Sequence, residues 1–77
     1  METLLNLSLG IRVQVMGIRG GFGMQRHLMS LGIMPGKIIK KITSQPMGGP
    51  IMLEVGGARI AIGRQIASRV IVKRILL

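Results

Sequence analysis

The stretch Leu28-Met29-Ser30-Leu31-Gly32-Ile33-Met34-Pro35-Gly36 constrains this chain more than any other. It puts helix-stopping residues close together. Gly32 can take the left-handed conformation that closes a helix without a Cβ clash. Ile33 then falls where a Schellman motif folds the next apolar residue back onto the last turn, here onto Leu28. Pro35 cannot continue a helix, and Gly36 permits a sharp change of direction. Just before the stretch the apolar period is helical. After it the period is that of a strand. From Gly23 to Leu31, Met24, Leu28 and Leu31 recur at i, i+4 and i+7 as one stripe, with Arg26 and Ser30 facing elsewhere and Met29 beside it.

The rest of the chain reads as short strands joined by turns. Ile11, Val13 and Val15 alternate with Arg12 and Gln14, which sends one face to a core and one to water. Gly17, Gly20, Gly21 and Gly23 make a flexible connection to the helix; their spacing and context are not those of a phosphate loop. Lys37 to Ser44 forms a strand in which Ile38, Ile39 and Ile42 are mixed with Lys40 and Lys41, so its buried face stays open. A turn at Pro46-Met47-Gly48-Gly49-Pro50 precedes the strand Ile51–Val55, whose inward residues are Ile51, Leu53 and Val55. Gly56-Gly57 is a two-residue hairpin loop, and Ala58–Gly63 returns with Ile60 and Ile62 inward. Arg64 to Arg69 is a tight helical turn and Val70–Ile75 the last strand, while residues 1–9, with Leu4, Leu5, Leu7 and Leu9, form an arm packed on the domain.

Five short strands with turns between them imply a small barrel, either SH3-like or OB-type. The helical turn just before the last strand favours the SH3-like form. The expected fold is thus mainly β: one domain over residues 1–77, an SH3-like five-stranded barrel with a short helical insertion after the first strand.

Catalysis has little to work with. Glu2 and Glu54 are the only carboxylates of the side chains, and His27 the only histidine. No acid–base pair or oriented nucleophile can be assembled from them. With no cysteine, thiolate metal sites and disulfides are excluded. His27 alone makes no metal site, and the seven methionines, spread along the chain, suit core filling and adaptable contacts. Neither an enzyme nor a cofactor nor a small-molecule substrate is expected. The formal net charge of +9 draws the chain to anionic partners: nucleic acid, lipid head groups or an acidic protein face. Single-strand binding by small barrels relies on stacking against aromatic rings, and Phe22 is the sole aromatic residue. Glu2 stands where a secretory leader carries Lys or Arg, and no apolar run reaches membrane-spanning length, so a soluble cytoplasmic protein is expected.

The order of these motifs resembles the FeoA family, ferrous iron transport protein A. The resemblance is carried by Val13-Gln14-Val15-Met16-Gly17, by Leu28 to Gly36, by Pro46-Met47-Gly48-Gly49-Pro50, and by the closing Ala61 to Val72. It implies a five-stranded SH3-like barrel with a helical insertion. It also implies a cytoplasmic accessory to the membrane ferrous iron transporter FeoB, which carries an intracellular GTP-binding domain; any place at the inner membrane would be peripheral, through that partner. The same domain is fused to iron- or manganese-responsive repressors, and this chain, without room for their DNA-binding helices, resembles the stand-alone form. The chain departs from the family at Ser8-Leu9-Gly10, where Lys-Pro-Gly is usual, at Gly49, often acidic, and at Lys41, usually apolar.

The functional expectation is an adaptor. It presents the helix and the Pro35-Gly36 turn to a FeoB-type transporter, with Arg26, Leu28, Met29, Leu31 and Pro35 as candidate contacts. These supply apolar anchors within a basic rim. Leu28 and Leu31 could instead only close the barrel. The rival reading is a nucleic-acid binder held by phosphate contacts, with affinity falling steeply with salt; a third is a direct divalent-metal carrier. Weak self-association is compatible with the apolar content but opposed by the like charges.

Overall fold

The computed structural model of the chain describes residues 2–7, 10–44 and 49–75, without the side chains of 43 and 44. Leu9 and most of the turn expected at Pro46-Met47-Gly48-Gly49-Pro50 lie outside the described residues. The elements are β1 (Glu2–Thr3), β2 (Arg12–Ile18), α1 (Phe22–Ser30), β3 (Ile38–Ser44), β4 (Ile51–Val55), β5 (Ala58–Ile62), α2 (Arg64–Ala67) and β6 (Val70–Arg74). They build one antiparallel sheet in the order β1-β6-β2-β3-β4-β5. Laid flat, β5 and β6 would stand about 19 Å apart, four strand spacings. The chain joins them through a link whose middle is the helical turn α2, which rises only about 6 Å. Ile62 of β5, Ala67 of α2 and Val70 of β6 nevertheless share one buried core with β2 and β4, so the sheet curls round on itself.

The core inside this curl follows the alternation. Val13 and Val15 of β2, Ile51, Leu53 and Val55 of β4, Ile62 of β5, and Val70 and Val72 of β6 are all buried. Leu4, Leu7, Leu28, Ile33, Ile39 and Ala67 complete the same cluster. The β4–β5 hairpin pairs Val55 with Ala58 around Gly56-Gly57. Those glycines have φ of +56° and +84°, the left-handed pair that a twisted two-residue turn demands.

Two bulges interrupt the simple period. Val15 pairs with Val72 but Gly17 with Ile71, so Met16 is the extra residue, and β2 runs on to Ile18. On β3, Lys41 pairs with Leu53 and Thr43 with Met52, making Ile42 the extra residue. This resolves the face of β3: Ile39 and Lys41 point inward, and Ile38 outward. The expected five strands become six. Glu2–Thr3 pairs with Val72 and Ile71 of β6 and is held there by Arg74, whose guanidinium donates to the Glu2 carboxylate at 3.0 Å. Two polar residues carry no periodicity, which is why the arm conceals a strand.

Lys41 is the one buried charged residue among those described. Its ammonium donates to the carbonyls of Leu5 at 3.2 Å and Leu7 at 2.9 Å. The arm passes through a turn here, at residues 4–6. Lys41 thus ties the arm to the barrel from within. Burial, with the nearby Arg64 guanidinium adding to it, pulls the Lys41 amine below its ordinary value.

Candidate functional site

Helix α1 is fastened at both ends by glycines. At its start, Gly20 has φ +139°, and a Cβ there would come 3.0 Å from Met24 Cβ. The loop can therefore lie hard against the first turn only because position 20 is glycine. At its end, the Gly32 N–H donates to Met29 O at 2.9 Å and the Ile33 N–H to Leu28 O at 2.9 Å. With Gly32 at φ +85°, this is the Schellman motif that the sequence predicts, and Ile33 and Leu28 are both wholly buried.

The two fastenings fix the rotation of the helix. Leu28 is 0% exposed, and Met24 and Leu31 pack beside it on the core. Phe22, Arg26 and Met29 follow the same i, i+4, i+7 spacing but start two residues earlier, about 200° round the axis. They form an outward stripe. Phe22 is 84% exposed and Met29 55%, two large apolar side chains with the Arg26 guanidinium between them along the chain. The glycine-rich connection brings more cations: the Arg19 N–H donates to Arg69 O at 2.7 Å, and Arg69 Nη1 lies 3.9 Å from the space beside Gly20.

Of the expected contact residues, Arg26 and Met29 lie on the outward stripe. Pro35 is exposed in a turn fixed to β2. There the Gly36 N–H donates to Val15 O at 2.8 Å, the Val15 N–H to Lys37 O at 2.8 Å, and Gln14 Nε2 to Gly36 O at 3.3 Å. Leu31 is half-buried against the core. Leu28 must be withdrawn as a contact: it is sealed inside the barrel, where it closes the core and anchors the helix cap. Phe22 lies on the same stripe and is not among the expected contacts. Its signal was available, since 22, 26 and 29 repeat the spacing of 24, 28 and 31. His27, Glu2 and Glu54 lie on three different elements, and among the described residues no three His, Asp or Glu side chains come together.

Comparison with known proteins gives the family of this fold. The FeoA domain model matches residues 2–74. A relative from Methanocaldococcus jannaschii, described as "Putative Fe(2+) transport protein A", is 38% identical over 64 residues, 83% of this chain and 76% of that one. A crystal structure of an iron uptake regulatory protein, FeoA, superimposes with a TM-score of 0.89 at 39% identity, covering 96% of this chain and 97% of that one. The zinc complex of Stenotrophomonas maltophilia FeoA, described as a prokaryotic SH3 domain protein, superimposes with a TM-score of 0.79 at 28% identity, covering 95% and 91%. The SH3-like barrel agrees with that description, and the chain belongs to the FeoA family.

Proposed function

We propose that this chain is a cytoplasmic accessory of ferrous iron transport that works by protein–protein contact with the intracellular side of a FeoB-type transporter. Its relatives' link to Fe(2+) transport supports the pathway. The observation that carries the contact is the outward stripe Phe22–Arg26–Met29. A small barrel that can bury little apolar surface nevertheless leaves an aromatic ring and a thioether in water on one helix face. Aromatic residues, methionine and arginine are the types enriched at interface cores. Rigid fastening at Gly20 and Gly32 presents them with little ordering cost on binding. The Pro35 turn offers a second exposed contact on the same chain.

The test is a titration of the chain against the transporter's GTP-binding domain at physiological ionic strength, where the Debye length is about 8 Å. Saturable binding that survives this salt and is lost in Phe22→Ser supports the contact. Equal binding by wild type and Phe22→Ser overturns it.

A further inference from the structure

The outer face of the sheet carries a second surface, independent of α1. Lys73, Gln14 and Ile38 lie side by side across β6, β2 and β3 in register. Their strand neighbours Val72, Val13 and Ile39 point into the core, so these three face outward. With Arg74 and Ile75 they line a shallow groove of about 390 Å³. Arg12, Lys40 and Glu54 form the neighbouring row, and they line a second depression of about 160 Å³ that shares Ile38. Ile38 is 52% exposed where a water-facing strand position would ordinarily carry a polar side chain.

Charge selects the occupant. Arg12, Lys40 and Lys73 border the two depressions, and Arg74 is already engaged by Glu2. Glu54 is the single carboxylate there among the described residues. The chain has only two acidic side chains, and with Glu2 held by Arg74 and Glu54 opposite Lys40, cations outnumber anions on this face among the described residues. We infer that the groove docks an acidic segment of a partner protein, which lays one apolar side chain against Ile38 and Ile75 and sets its carboxylates against Lys73, Arg12 and Lys40. A nucleic acid fits less well: the groove has an apolar wall, the only aromatic residue is away on α1, and Glu54 repels a run of phosphates. A lipid surface fits less well too, because Ile38 lines concavities here rather than projecting from them.

The experiment is fluorescence anisotropy with the full chain at physiological ionic strength. The probes are a short glutamate-rich peptide carrying a single leucine, and the same peptide with alanine in its place. The leucine peptide is expected to bind saturably, and the alanine peptide about tenfold more weakly. Ile38→Thr, which keeps a β-branched residue, should erase the difference between the peptides. Lys73→Glu should weaken both by about tenfold or more. Thermal unfolding confirms that each variant is folded, and Phe22→Ser should bind the peptides as wild type does, which separates this site from the helix contact. Equal affinity for the two peptides, indifference to Ile38→Thr, or binding of oligothymidylate or anionic vesicles without the peptide would overturn the assignment.

Discussion

Met24, Leu28 and Leu31 on one side of α1, and Phe22, Arg26 and Met29 on the other, share one spacing and one helix, yet meet opposite fates. The first set is packed on the core, with Leu28 wholly buried; in the second, Phe22 and Met29 are mostly in water. Periodicity alone identifies both stripes and ranks neither. The rotation is settled outside the helix, by the close approach at Gly20 and by the cap at Gly32, which leads directly to the buried Ile33. The inward stripe therefore holds the fold, and the outward stripe is free to hold something else.

The contrast is broken hardest by Leu28→Ala. It opens a cavity beneath the cap and should cost about 2–5 kcal/mol. A domain this small has about 3–5 kcal/mol in hand, so urea titration should find the variant largely unfolded. Gly32→Ala tests the fastening rather than the stripe. The left-handed backbone at φ +85°, and a Cβ only 3.2 Å from Val55 Cγ1, should cost about 1–2 kcal/mol by the same measurement. Met29→Ser and Phe22→Ser, on the other face, should leave stability within about 0.5 kcal/mol. Each should weaken binding to the transporter domain by about tenfold or more, measured by titration.

Much of this was legible in the chain. The hairpin around Gly56-Gly57 announces itself because paired glycines serve a turn with both φ positive, and the structure has both. The helix stop at Gly32 and the buried Ile33 follow from the same kind of argument. Met16 and Ile42 were not legible, because a bulge adds a residue and resets the alternation without changing composition. The strand at Glu2–Thr3 was too short to show a period. On the candidate site, Arg26, Met29 and Pro35 prove exposed, whereas Leu28 shows that an apolar residue on a short helix belongs to the core first. Phe22 falls outside the expected span because the helix begins one residue before Gly23.

Lys41 sharpens the same contrast between core and surface, with the smallest expected effect. Its amine is held below the ordinary 10.5 in the folded chain and returns to it on unfolding. Between those two values the unfolded chain binds more protons, so stability should rise with pH across that window, up to about 10.5. Urea midpoints measured through that range should climb for wild type and flatten in Lys41→Met. The neutral amine still carries the N–H groups that serve Leu5 and Leu7, so the arm keeps its hydrogen bonds at the upper end.

Amide chemical-shift mapping tests the division of α1 most directly. The labelled chain would be titrated with the GTP-binding domain of a FeoB-type transporter at physiological ionic strength. The largest perturbations are expected at Phe22, Arg26 and Met29, with the barrel interior around Val13, Leu53 and Val72 unmoved. Perturbations that spare α1, or none at saturating partner, would contradict it.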